Sequence, residues 1–101
     1  MALDKIQLSD LLSVYTNVLT EKQRDALKMY CDCDCSLAEI SLESGVSRQA
    51  VRDAIVNGEK SLIKLEESLH LSSFIAKLLS AVSDNDINLV RDVLNAYVAK
   101  E

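Results

Sequence analysis

Apolar positions along this chain recur three and four residues apart almost from end to end, the period of a helix with one buried side. Leu8, Leu11, Leu12, Tyr15, Val18 and Leu19 mark a first amphipathic helix within residues 3–19. Thr20 followed by Gln23 is a capping box, in which two side chains satisfy amides that the helix start leaves open. It opens a second helix through about Tyr30, with Ala26, Leu27 and Tyr30 inward. Ser36 and Glu39 form another such box, and Leu37, Ile40 and Leu42 give a short third helix its apolar side. Gly45 stands where the chain must leave that helix, because glycine takes a left-handed conformation without a Cβ penalty. Val46 offers an apolar plug for the corner, and Ser47 can cap the next helix. This fourth, longer helix carries Ala50, Val51, Ala54, Ile55, Gly58, Leu62, Leu65 and Leu69 along one side.

That helix should end around His70 to Ser73, with Ser72 or Ser73 capping a fifth that holds Phe74, Ile75, Leu78, Leu79 and Val82. Ser83-Asp84-Asn85-Asp86 is a turn signal. A last helix sets Ile87, Val90, Leu94 and Tyr97 in a seam, with Val93 beside it. The expected fold is therefore an all-α helical bundle, one domain over 1–101, with a helix-turn-helix core at 20–70 and a C-terminal helical hairpin at 72–100. Composition agrees. The 101 residues include no proline and two glycines, with 49% hydrophobic and 27% charged positions and no alternating β-branched run. Asp4 and Asp10 interrupt the N-terminal apolar residues, which speaks against a secretory signal. No apolar run approaches the roughly twenty residues that span a bilayer. A cytoplasmic protein without membrane partners is expected.

Arg48, Gln49, Arg52 and Asn57 face away from the apolar side of the fourth helix, the first three within its opening turns. Arginine can donate a fork of hydrogen bonds to the major-groove edge of guanine, and glutamine can pair with adenine. This is the pattern of a helix-turn-helix that offers its second helix to a DNA groove. The net charge of −5 argues against a general nucleic-acid binder, but its distribution is uneven. Residues 20–30 hold three cations, Lys22, Arg24 and Lys28, to two carboxylates. Residues 47–64 hold four, Arg48, Arg52, Lys60 and Lys64, to the two of Asp53 and Glu59. The remaining segments are net negative, so binding to DNA should be modest and sensitive to salt.

The runs LTEKQRDALKMY, SLAEIS and GVSRQAV resemble YlxM, a bacterial helix-turn-helix family associated with the signal recognition particle. The resemblance covers roughly residues 5–70, and its motif is similar to the fourth region of sigma factors. It implies an all-helical fold, DNA binding and a transcriptional regulatory role connected with the protein-targeting pathway. On that pattern Ser47 caps the recognition helix while Arg48, Gln49 and Arg52 face bases or phosphates, and Lys22, Arg24, Lys60 and Lys64 anchor the phosphate backbone. Sigma-like motifs carry an acidic residue where Gln49 stands, an uncharged amide where Asp53 stands and alanine where Ser41 stands. The alternative implied is a protein- or ribonucleoprotein-interaction module that keeps the frame without reading DNA, with components of the signal recognition particle as partners.

Other residues invite chemistry and carry little. Cys31, Cys33 and Cys35 alternate with Asp32 and Asp34, but a structural zinc site takes four ligands, usually from two separated pairs. The resemblance to YlxM, whose loop here carries mainly aromatic, aliphatic and acidic residues, implies that Cys31 and Cys35 are small core substitutes; reduced thiols are expected, and no metal or cofactor. His70, the single histidine, suits a helix C-terminus. No nucleophile has an identifiable base partner and there is no glycine-rich phosphate loop, so an enzyme is not expected. The seam of the last helix, with the habit of such proteins to read paired half-sites, leads to the expectation of a homodimer. The alternative is a cap within one chain.

Overall fold

The computed structural model describes residues 2–99. Positions 1 and 101, the limits of the expected domain, and position 100, the expected end of the hairpin, lie outside them. The elements are α1 (Lys5–Tyr15), a 3-10 turn at Thr16–Val18, α2 (Glu21–Cys31), α3 (Leu37–Ser44), α4 (Arg48–Leu69), α5 (Leu71–Ser83) and α6 (Ile87–Val98). Among the described residues there is no strand, so the fold is all-α. The chain divides into two compact units, one through Ser68 and one from Leu69.

The first unit builds a core from α1 to α4. Leu8, Leu12, Tyr15, Leu19, Ala26, Leu27, Ile40, Val51, Ile55 and Leu62 are all buried there. Each helix start is closed locally. Thr20 Oγ1 accepts from Gln23 N, and Gln23 Oε1 accepts from Thr20 N in return, both at 3.2 Å. Ser36 and Glu39 make the same reciprocal pair at 3.1 Å. Asp4 and Gln7 form a third capping box that opens α1. Helices α2 and α4 approach closely at Gly58, where an added Cβ would stand 2.6 Å from Leu27 Cδ1. Tyr15, on α1, donates its hydroxyl proton to Glu66 Oε1 of α4 at 2.6 Å.

Glu59 is a charged residue enclosed by the first unit. It is only 5% exposed, and its two carboxylate oxygens accept from the backbone amides of Ala2 and Leu3, each at 3.0 Å. It lies four residues after Ile55 and three before Leu62, inside the apolar stripe, and its acceptors give the entering chain the partners a buried amide requires. Several apolar expectations fail, among them the Val46 plug, 42% exposed, and Leu69 at the end of the α4 stripe, 47% exposed. Leu42 is 87% exposed because Ile40 alone of α3 turns fully into the core, and Val18 sits exposed on the 3-10 turn.

In the second unit α5 and α6 form the expected hairpin. They are antiparallel: Phe74 near the start of α5 stacks on Tyr97 near the end of α6, ring centroids 4.3 Å apart. Asp86 caps α6 by accepting from Leu89 N, as the turn signal implied. The expected serine cap of α5 is not what ends α4. Instead His70, at φ 51°, is a single left-handed residue between Leu69 and Leu71, and Ser72 and Ser73 lie inside α5. The last-helix seam divides. Val90, Val93 and Tyr97 are half-buried, whereas Ile87 and Leu94 are exposed.

Candidate nucleic-acid interface

The turn between α3 and α4 is held by short-range bonds. Gly45 adopts φ +74°, and its amide donates to the Ser41 carbonyl at 3.0 Å. The Ser41 hydroxyl donates across the turn to the Val46 carbonyl. The serine that stands in place of the usual alanine is therefore a brace for the corner. Ser47 Oγ accepts from Ala50 N at 3.0 Å and caps α4 as expected. Cap, turn and helix start are thus fixed without help from distant residues.

From that fixed start Arg48, Gln49 and Arg52 all extend into solvent. Neither arginine has a hydrogen-bond or ion-pair partner among the described residues, where the ion pairs are Lys5–Asp34 and Arg91–Asp92. Both guanidinium groups keep their full set of donors, which match phosphate oxygens or the acceptor edge of guanine. Gln49 differs, since its Nε2 donates to Asp53 Oδ1 at 2.9 Å, one turn further along. This bond was missed in the sequence, although the i, i+4 spacing of glutamine and aspartate could have indicated it.

The four expected phosphate anchors are placed unequally. Lys22, exposed on the first turn of α2, lines a surface hollow of about 240 Å³ with Val46, Ala50 and Ala54, and so lies beside the start of α4. Arg24 is half-buried. Lys60 and Lys64 are exposed but lie roughly 16 and 22 Å beyond Gln49 along α4, at about 1.5 Å per residue. They share the outward stripe of Gln49 and Asp53 without joining the patch of Arg48 and Arg52.

The cysteine loop lies elsewhere in this unit. Cys33 is exposed while Cys31 and Cys35 are half-buried, all three as free thiols. Burial pushes the Cys31 thiol up to about 11, with the Asp32 charge adding to the effect. Among the described residues no group of three or more His, Cys, Asp or Glu side chains is arranged to hold a metal ion. No helix among them is long and apolar enough to cross a membrane.

A capped corner between a short helix and a long one, with cations projecting from the first turns of the second, defines a helix-turn-helix protein. The chain belongs to the UPF0122 family, whose model, described as "Putative helix-turn-helix protein, YlxM / p13 like", matches residues 3–84. It is similar to the UPF0122 protein of Mycoplasma capricolum, with 36% identity over 85 residues, 84% of this chain and 75% of that one. The UPF0122 protein of Clostridium botulinum is 43% identical over 68 residues, 67% of this chain and 62% of its own length. That of Clostridium kluyveri is 46% identical over 68 residues, covering 67% and 61%. The chain thus spans about three quarters of the mycoplasma relative and about three fifths of the clostridial ones. No solved structure matches it.

Proposed function

We propose that this protein binds DNA with the first turns of α4 in the major groove and acts as a transcriptional regulator. The observation that carries the reading is the pair of guanidinium groups, Arg48 and Arg52, left without partners among the described residues on a helix start pinned by Ser47 and by the Ser41–Val46 brace. In this reading Gln49 meets a base edge, Lys22 and Arg24 hold phosphates beside the groove, and Lys60 and Lys64 hold phosphates further along the duplex. Two copies, joined through the hairpin of α5 and α6, present two such helices to paired half-sites. The protein works in the cytoplasm, and its targets include genes of the protein-targeting pathway; that link rests on the resemblance to YlxM alone.

The test is a fluorescence-anisotropy titration against pooled genomic DNA fragments at low and physiological salt. Selective retention of some fragments, with affinity falling as salt rises, supports the reading and supplies the site. Arg48→Ala together with Arg52→Ala abolishes that retention while the helical circular dichroism stays unchanged. Full affinity in the double variant sinks the assignment of α4.

A second reading has its own support. The net charge of −5 and the exposed apolar residues of the hairpin suit a module that docks on a protein or ribonucleoprotein of the targeting pathway. Absence of DNA retention even at low salt selects it.

A further inference from the structure

Among the outward side chains that open α4, Gln49 is the one whose orientation is held. A free glutamine amide can turn either end to a base, donating from Nε2 or accepting at Oε1. Here Nε2 points along the helix to Asp53 Oδ1 at 2.9 Å, and the reverse orientation would set Oε1 against a carboxylate oxygen, acceptor against acceptor. The bond spans i to i+4 on one helix, so it needs no tertiary contact, and pairs of this kind favour the bonded arrangement by about twofold. Asp53 is exposed and has no cationic partner among the described residues. Its charge opposes any nearby phosphate, so its place on this face is a cost to general affinity.

We propose that Asp53 is a specificity-determining positioning residue: it biases the Gln49 amide toward leading with its carbonyl oxygen, so that the base beneath Gln49 is preferentially adenine or cytosine. In the major groove those two bases present an exocyclic amine, N6–H or N4–H, which Oε1 accepts. Guanine and thymine present acceptors there, O6 with N7 or O4, which meet Oε1 with repulsion. The second oxygen of Asp53 is another acceptor on the same stripe and favours the same bases. Arg48 and Arg52 keep the complementary task of guanine or phosphate. This inference rests on the DNA-binding reading and states what that surface selects.

The experiment is selection of sites from a random duplex library by the full chain, followed by sequencing, for the parent, Gln49→Ala, Asp53→Ala and Asp53→Asn. The parent selects a site in which one position is restricted to adenine or cytosine, and Gln49→Ala loses the restriction at that position. Asp53→Ala, which keeps the helix because alanine is its best former, also loses about twofold of discrimination there and leaves the other positions intact. Asp53→Asn can pair with either end of the Gln49 amide, because its side chain offers both an oxygen and an NH2, so it relaxes the preference as Asp53→Ala does while binding all sequences more tightly. A specific parent site whose Gln49-dependent position is unchanged in Asp53→Ala, or prefers guanine or thymine, overturns the positioning role and leaves the DNA-binding reading standing. Failure of the parent to enrich any sequence at low salt overturns both.

Discussion

The unit through Ser68 and the unit from Leu69 solve the burial problem in opposite ways. The first closes α1 to α4 over a row of large side chains, with Leu8, Leu27, Ile40, Ile55 and Leu62 at 0–1% exposure. In the second, Ala81 is the buried residue of α5 and α6 among those described, while Leu79, Val82, Ile87, Leu89, Leu94 and Val98 are all exposed. A two-helix hairpin below about forty residues does not bury enough surface to be stable by itself. The first unit is therefore a scaffold that stands on its own core. The second is a surface whose stability depends on what covers it, and its stacked Phe74–Tyr97 pair sets only the geometry of the hairpin.

Truncating the same kind of side chain in each unit puts this contrast under the hardest test. Ile55→Ala removes a fully buried side chain, and its loss should lower unfolding free energy by about 2–5 kcal/mol in urea followed by circular dichroism. Next in size is Glu59→Ala, which strips two backbone amides of their acceptors and should lower stability by about 1–3 kcal/mol. Gly58→Ala comes third. Its Cβ meets the Cδ1 of Leu27, a fully buried side chain that must shift, and the overpacking outweighs the better helix propensity of alanine by about 1 kcal/mol. Loss of less than half that in both last variants would show a looser first unit than its burial indicates.

How much of this was legible in the sequence depends on the range of the forces involved. Caps and turns act within four residues, so Thr20–Gln23, Ser36–Glu39, Gly45 and Ser47 could be read directly, and with them which side chains at the start of α4 face outward. The burial of Glu59 was not read, because a carboxylate in an apolar stripe declares itself only through the distant amides of Ala2 and Leu3. His70 carries no local sign that it will turn left-handed, and the nearby serines offered a more ordinary cap. Leu42, Ile87 and Leu94 share one lesson. Helical period marks a residue as apolar-facing, but which faces find cover is decided by packing between elements.

Cys31 probes the boundary of the first core with a smaller effect. Its thiol is pushed up from 9.0 to about 11, first by burial and then by the Asp32 charge, against the opposing Lys5. Between those values the unfolded chain releases its proton before the folded one does. The contribution to stability is therefore complete below pH 9 and is lost as pH rises through 11. The unfolding midpoint of the parent should fall over that window more than that of Cys31→Ala. Equal falls would mean that the end of α2 at Cys31 is open to solvent in the folded protein.

The smallest expected effect on folding is also the most informative for the second unit. Ile87→Ser and Leu94→Ser change side chains that are 75% and 41% exposed on α6, so each should move the unfolding free energy of the monomer, measured at high dilution, by no more than about 0.5 kcal/mol. Their effect should appear instead in sedimentation velocity, where a parent dimer becomes a monomer. Three outcomes separate the ways this face can be covered. A dimeric parent and monomeric variants place a second copy on it, in line with a two-fold reader of paired half-sites. A monomeric parent with unchanged stability in the variants assigns the face to a different partner and removes the homodimer from the proposal. A monomeric parent destabilised by well over about 1 kcal/mol in either variant means that the hairpin is capped within its own chain, and the contrast between the two units then fails.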